Sequence, residues 1–180
     1  MRIVGGKYRG KQLIAPAGET TRPTADRARE SVFNILDSRL TKAGLTWADI
    51  AVFDAFAGTG ALGAEAVSRG AKALFAAEKD KAAQLCWRKN TAGMNATLYT
   101  DMLALPRAAQ PVGLVLMDPP YKKGLVAPAL AELEQKGWLS PETLCVIEVE
   151  KTEQNVLPDG FAVADERVYG KAKIIIAFKA

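Results

Sequence analysis

Short apolar runs alternate with amphipathic stretches between residues 50 and 149 of this 180-residue chain. Their periodicity predicts strands at 50–53, 73–77, 97–100, 112–117 and 144–149, with helices at 61–69, 81–90, 102–109 and 125–136. Strands that alternate with helices in this way form a parallel sheet with right-handed crossovers and helices on both faces. The pattern therefore predicts a three-layer α/β/α sandwich.

Two further segments flank this pattern. Residues 1–16 read as two short strands around a Gly-rich turn, which predicts an N-terminal β-hairpin. Pro23 holds Arg22 extended, so Thr24 is expected to N-cap a first helix. The runs at 161–168 and 172–178 predict a closing antiparallel pair. We expect a basic extension at 1–18 and one main domain at 19–180.

The net charge of +4 is concentrated at the N-terminus. Residues 1–18 carry Arg2, Lys7, Arg9 and Lys11 and no acid, whereas basic and acidic residues balance in the remainder. A basic arm on a neutral body indicates a polyanionic partner such as nucleic acid. The alternative is a solvated arm that keeps the protein soluble.

The composition excludes several classes of site. The chain has no histidine, which excludes a Ser–His or Cys–His nucleophilic pair and a histidine-bound zinc. Cys86 and Cys145 lie in apolar segments without metal-ligand spacing, so we expect reduced cysteines, no metal and a cytoplasmic location. No apolar run approaches the ~20 residues of a membrane span, so no membrane association is expected.

Ligands of parallel α/β sheets bind beyond the carboxyl ends of the strands. After the first strand, FDAFAGTGALG contains Gly58-x-Gly60-x-x-Gly63, a turn that lets a ligand approach the backbone. Glu78 follows the second strand, where a carboxylate can accept hydrogen bonds from both hydroxyls of a ribose. Together these features favour an adenosine-containing cofactor over a plain turn and a solvated acid. Asp54 would oppose a pyrophosphate but suits a positively charged ligand.

Two more strand ends carry acids. Asp101 can accept a hydrogen bond from an adenine amino group, with the Met102 N–H reaching a ring nitrogen; the alternative is a helix N-cap. After the fourth strand, Asp118-Pro119-Pro120-Tyr121 is stiffened by its two prolines. This turn presents a carboxylate, a bare carbonyl and an aromatic ring in fixed relation, which favours a positioning role over a merely rigid loop.

The DPPY stretch resembles the signature of methyltransferases that modify exocyclic amino groups of nucleobases and use S-adenosylmethionine (SAM). With FDAFAGTGALG, the chain resembles Rossmann-like class I methyltransferases, which implies a mostly parallel seven-stranded sheet with an antiparallel last strand. The segments GGKYRGKQLIAP, TRPTADRARESVFNIL, AAEKD and DPPYKKG, in this order, resemble the RsmD family. Members of that family methylate N2 of a guanine in small-subunit (16S) ribosomal RNA in bacteria. Tyr121 stands where some relatives have Phe.

The resemblance implies a role for each strand end. Asp118 and the Pro119 carbonyl would hold the amine, and Tyr121 would stack on the flipped base. The residues implied at the cofactor are Asp54, Phe56, Ala57, Gly58, Gly60, Glu78, Lys79, Asp101, Met102, Arg22 and Thr24. Those implied at the RNA are Arg2, Lys7, Arg9, Lys11, Lys122 and Lys123. The implied partner is ribosomal RNA, within the small subunit or an assembly intermediate, bound by a monomer.

Three other functions remain open at this point. A DNA adenine-N6 methyltransferase would use the same DPPY turn, although the chain shows no separate region for reading a DNA sequence. A NAD-dependent oxidoreductase would explain the glycines and Glu78 but leaves DPPY without a use. An inactive RNA-binding module on the same fold would not need an intact DPPY turn.

Overall fold

The computed structural model describes residues 1–17 and 23–180, and only the backbone of residues 23–25. Its helices are α1 (Pro23–Lys42), α2 (Ala61–Arg69), α3 (Lys81–Asn90) and α4 (Val126–Gln135), with one 3₁₀ turn at Trp47–Asp49. Its strands are β1 (Ala51–Ala55), β2 (Ala73–Ala77), β3 (Ala96–Tyr99), β4 (Leu114–Met117), β5 (Leu144–Glu150), β6 (Phe161–Tyr169) and β7 (Ala172–Lys179). The predicted alternation of strands and helices is confirmed except between β3 and β4, where the described residues form no helix.

The strands form one seven-stranded sheet in the order β3-β2-β1-β4-β5-β7-β6. The first five are mutually parallel, whereas β7 runs antiparallel to both β5 and β6. The chain therefore crosses over from β3 to β4 on the far side of β1, which creates a switch in strand order beside β1. The Rossmann-like class I prediction, with its antiparallel last strand, is confirmed.

Alternate residues of the central strands serve two separate cores. In β1, Val52 packs with the face covered by α1 and α2, and Phe53 packs with the face covered by α4. In β4, Leu114 and Leu116 take the first face, while Val115 takes the second. Because all these side chains are buried, the strands read as unbroken apolar runs.

The prediction of a helix at 102–109 is wrong, since this segment forms turns. Its backbone groups bond to other elements instead of to each other. Leu105 N donates to a Glu132 carboxylate oxygen at 2.9 Å, and the Pro106 carbonyl accepts from Trp138 Nε1 at 3.0 Å. Pro106 also lacks the N–H that a helix would need there.

The N-terminal hairpin has one antiparallel bridge, Arg2 to Gln12, instead of the two predicted strands. Its apolar side chains pack onto the main domain: Ile3 and Leu13 are buried in a cluster with Ala64 of α2. The hairpin therefore shares a core with the sheet domain.

Helix α1 begins at Pro23, one residue before the predicted N-cap Thr24. Proline suits the first turn of a helix because its missing N–H has no partner there in any case.

Candidate active site

The register of the parallel strands places four strand-end residues in one row. Ala55 pairs with Ala77 and with Met117, and Met117 pairs with Ile147. The next residues along these strands are Glu78, Phe56, Asp118 and Glu148, in that spatial order. Neighbouring strands lie about 4.8 Å apart, so this row brings residues 56 to 148 of the chain together at the carboxyl edge of the sheet.

A cavity of about 720 Å³ opens over this row. All three predicted catalytic residues, Asp118, Pro119 and Tyr121, line it. Of the predicted cofactor residues, Phe56, Glu78, Lys79, Asp101 and Met102 line it, whereas Asp54, Ala57, Gly58 and Gly60 lie outside its lining. Its volume is within the range of about 300–1,000 Å³ found for small-molecule sites.

The Gly-rich turn is tied to the second strand end. Glu78 accepts the N–H of Gly58 at 2.7 Å with one oxygen and the N–H of Asp80 at 2.7 Å with the other. Gly58 and Gly60 both have positive φ, at +54° and +85°. A Cβ on Gly60 would lie 2.6 Å from the Trp87 ring, whereas one on Gly58 would meet no atom within 4 Å. The turn is thus packed on one side and open on the other.

Asp54 links β1 to the start of α2 through a buried hydrogen bond. Its carboxylate is buried and accepts the N–H of Gly63 in the first turn of α2 at 2.8 Å. Burial raises the pKa of Asp54 well above its ordinary value, although the Gly63 bond acts in the opposite direction, and the charges of Asp118 and Glu78 raise it further. One Asp54 oxygen is therefore a structural acceptor for α2. Gly63 fits because a Cβ there would lie 2.9 Å from that oxygen.

Phe56, directly after β1, has a φ of +58°. This left-handed conformation is unfavourable for a bulky residue and persists only where the surroundings impose it. The ring lines the cavity between the two acidic strand ends.

Asp118, Tyr121 and Glu148 form the opposite wall. The Tyr121 hydroxyl donates to Glu148 Oε1 at 2.7 Å. Enclosure by the protein and then the charge of Glu148 raise the pKa of Asp118 to about 7, although the residue stays open to the cavity. Asp118 is therefore poised to exchange a proton near neutral pH.

Asp101 begins a turn and not the helix that it was considered to cap. Its carboxylate accepts the N–H of Leu103 at 2.9 Å. Met102 is buried and lines the cavity together with Leu103, so one edge of the cavity is apolar.

Comparison with known proteins agrees with this architecture. A family model described as "Conserved hypothetical protein 95" matches residues 1–178. Ribosomal RNA small subunit methyltransferase D of Escherichia coli K12 is 35% identical, over 95% of this chain and 86% of that protein. The protein of the same name from Haemophilus influenzae is 30% identical, over 94% of this chain and 89% of that protein. The chain belongs to the RsmD family.

A solved structure supports the same conclusion. The Escherichia coli protein described as "Putative methyltransferase yhhF" superposes with a TM-score of 0.80 at 34% identity, covering 99% of this chain and 97% of that one. The predicted family is therefore confirmed, and the fold is that of a methyltransferase.

A methyltransferase of this fold implies SAM as cofactor, and the residues present fit it. Glu78 offers carboxylate oxygens beside the open turn at Gly58, as a ribose diol requires. Asp101 and Met102 line the cavity together with the apolar Phe56 and Leu103, so the lining offers both an acceptor and the apolar surface that an adenine requires. The described residues contain no group of three or more His, Cys, Asp or Glu side chains arranged to hold a metal ion.

Sequence reasoning missed Glu148 in this RsmD-family site. Glu148 lies inside β5 and not after it, so a search for residues that follow strands passes over it. The available signal was an acid within the apolar run LCVIEVE. A charge in a strand that is otherwise buried needs a polar environment, and here the cavity supplies it.

None of the predicted RNA-binding residues, all of which the structure describes, lines the cavity. Lys122 has its Nζ 2.7 Å from a Glu150 oxygen, and Lys123 is exposed. In the hairpin, Arg2, Lys7 and Arg9 are exposed. Lys11 differs, since its Nζ donates to the Asn90 carbonyl at 2.7 Å. Arg22 lies outside the described residues, and the side chain of Thr24 is not described.

A second concavity, of about 680 Å³, lies between α1 and β6. None of the predicted site residues within the described ranges lines it, and its wall carries Arg27, Arg39 and Asp165. No described helix is long and apolar enough to cross a membrane.

Proposed function

We propose that the protein transfers the methyl group of SAM to the exocyclic N2 amine of a guanine in small-subunit (16S) ribosomal RNA. The observation that supports this most directly is the row of strand ends. It brings the Asp118-Pro119 turn and the Glu78 carboxylate into one cavity, so that an amine and a cofactor bound there would be neighbours. The names of the RsmD relatives support ribosomal RNA as the substrate.

The reaction needs a more nucleophilic amine, because the lone pair of guanine N2 is delocalised into the ring. The Asp118 carboxylate accepts one N–H and the Pro119 carbonyl accepts the other, which directs the lone pair out of the base plane. SAM, when bound, supplies a methyl group already activated on a sulfonium, so alignment accounts for most of the remaining barrier. The N–C bond would form as the S–C bond breaks, and Asp118, whose raised pKa suits this role, would take the proton that the amine releases.

The base must leave its stack to reach this turn. The Tyr121 ring is partly exposed at the cavity wall, and its hydroxyl is anchored to Glu148. A base stacked on such a ring gains about 1–3 kcal/mol. The anchored ring would hold the base plane fixed relative to Asp118.

The exposed cations would hold the RNA backbone. Arg2, Lys7 and Arg9 of the hairpin and Lys123 beside the catalytic turn offer point charges for phosphates. The partner is then ribosomal RNA in the small subunit or an assembly intermediate, bound by a monomer in the cytoplasm.

The test uses purified protein with methyl-labelled SAM and three acceptors: small subunits lacking the modification, naked 16S RNA and duplex DNA. We expect label in the RNA, identified as N2-methylguanosine by nucleoside mass spectrometry, and none with the Asp118→Ala variant. Label in DNA as N6-methyladenine, with none in RNA, would overturn the proposal in favour of a DNA methyltransferase. An absence of label in all three acceptors would overturn it in favour of an inactive module.

A further inference from the structure

The DPPY turn explains how an amine is held but not which base carries it. Guanine N2 and adenine N6 are both amines next to ring atom N1. In guanine N1 carries a hydrogen and donates, whereas in adenine N1 has a lone pair and accepts. A protein group placed beside Asp118 and facing N1 would therefore select the base. This question rests on the proposed function, since it takes amine methylation at Asp118 as given.

Glu148 lies beside Asp118. It is the residue next to Asp118 across the β4–β5 pair, one step beyond the pairing of Met117 with Ile147. The two carboxylates project from the same face of the sheet, since each follows by one residue a side chain packed on the opposite face. Both line the cavity.

One oxygen of the Glu148 carboxylate is held by a hydrogen bond, and the other is available to a ligand. Its Oε1 accepts from the Tyr121 hydroxyl at 2.7 Å. Its Oε2 has no hydrogen-bond partner within residues 1–17 and 26–180. Lys122, the nearest cation in sequence to the catalytic turn, is paired with Glu150 instead. The free oxygen is thus an acceptor without a donor.

We propose that Glu148 selects guanine, its Oε2 accepting the N1–H of the flipped base while Asp118 and Pro119 hold the neighbouring amine. A guanine edge brings adjacent N–H donors to a pair of adjacent carboxylates and relieves their mutual repulsion. Adenine would turn the lone pair of its N1 toward the Glu148 carboxylate with no proton between them, so adenine would bind poorly.

The lysine in the cavity lining does not weaken this selection. Lys79 follows Glu78, so it belongs to the cofactor end of the row, with Phe56 and Asp118 between it and Glu148. Within the described lining, the base end offers acceptors, and its one hydroxyl, on Tyr121, already donates to Glu148.

The test compares guanine with 2-aminopurine at the modified position of 16S RNA assembled into small subunits. 2-Aminopurine keeps the ring, the glycosidic bond and the 2-amino group but lacks both N1–H and the 6-oxo group, so the Glu148 variants are what assign a preference to N1–H. Both substrates compete at equal concentration in one reaction, and mass spectrometry at low conversion gives the ratio of methylated products, which is the ratio of kcat/KM. We expect the wild type to prefer guanine by roughly ten- to a hundredfold, the range expected for one hydrogen bond to a charged group.

Glu148→Gln and Glu148→Ala should bring this ratio toward unity, whatever they do to the absolute rate. Glu150→Gln is the matched control, since it removes one carboxylate two residues along the same strand, and it should keep the wild-type ratio. Tyr121→Phe removes the hydroxyl that holds Glu148 and keeps the ring. It should preserve most of the preference, because Oε2 remains available to N1–H.

The proposal is overturned if the Glu148 variants keep the wild-type ratio, or if Tyr121→Phe abolishes the preference as completely as they do. The second result would mean that Glu148 acts only through the ring. If a Glu148 variant is inactive, 2-aminopurine fluorescence on binding, competed by the guanine RNA, gives the ratio of the two binding affinities, which should likewise fall toward unity relative to the wild type. Failure of the proposed function is separate, because the wild type would then leave guanine RNA unmethylated.

Discussion

Glu78 Oε2 accepts the N–H of Gly58 at 2.7 Å, which ties the end of β2 to the open turn after β1. The same carboxylate therefore both shapes the turn and faces the cavity. If Glu78 binds the ribose as proposed, a change at this residue would act on cofactor binding in two ways, through the lost ribose contact and through a less ordered turn.

Glu78→Ala should lower the affinity for SAM about ten- to a hundredfold, since a hydrogen bond to a charged group contributes roughly 1.5–3 kcal/mol. Isothermal titration calorimetry measures this directly. Glu142→Ala, at an exposed acid outside the cavity, is the control and should leave the affinity unchanged. Unchanged SAM binding by the Glu78 variant would place the ribose elsewhere.

Asp118→Ala should abolish methyl transfer while SAM affinity changes little, because the proposed mechanism sets this carboxylate against the amine and not against the cofactor. Single-turnover assays and calorimetry separate the two effects. Asp159→Ala removes an exposed carboxylate far from the row and should keep full activity. A residual rate within about tenfold of wild type, near 1.4 kcal/mol, would be too small a loss for the proposed role.

Asp118→Asn should stabilise the fold relative to the wild type, and this gain in stability should be larger at alkaline than at acidic pH. The pKa of Asp118 rises on folding from an ordinary 3.8 to about 7, so ionising this group costs the folded state. In the wild type, stability from this group is complete below about pH 4 and is lost as the pH rises through about 7. The variant's advantage should therefore grow over this interval and then level off.

Urea denaturation at a series of pH values between 4 and 9 measures that difference. An advantage that is constant with pH, or one that shrinks as the pH rises, contradicts the assignment of the raised pKa to Asp118.

Replacing Lys7 and Arg9 with Ala should weaken RNA binding for all sequences and leave thermal stability and SAM affinity nearly intact, because both side chains are exposed. Each lost phosphate contact should reduce the salt slope of binding by about one unit or less. Lys11 no longer belongs in this set, since it donates to the Asn90 carbonyl. Lys11→Ala should lower the melting temperature as well.

Filter binding to 16S RNA at several salt concentrations, alongside thermal melts, makes the comparison. If the double variant binds with the wild-type affinity and slope, the hairpin is a solubilising surface and the RNA lies elsewhere.

Much of the fold was readable from local sequence. The bounds predicted for α2, β2 and α3 match the structure, because each is framed by its own periodicity and by a stop signal such as Gly70, which adopts φ +117° after α2. The segment 102–109 failed because partners distant in sequence, Glu132 and Trp138, satisfy its backbone. Local propensity carries no information about such partners.

The candidate site divides in the same way. The acids at 78, 101 and 118 follow predicted strands, so position alone drew attention to them. Asp54 was associated with the cofactor, and its bond to Gly63 could not be foreseen because it depends on how closely α2 packs over β1. Lys11 was predicted to face RNA, and its actual contact could not be foreseen either, because Lys11 and Asn90 are 79 residues apart in the chain.

The sequence by itself determined the order of strands and helices, the family and the residues of the DPPY turn, since these depend on periodicity and on short motifs. The tertiary structure decided which strand ends stand side by side. β4 pairs with β1 and β5 across long crossovers, and the register of those pairs is set by helices packing on both faces of the sheet. Only that register brings Glu148 next to Asp118, because nothing within either strand specifies its neighbour.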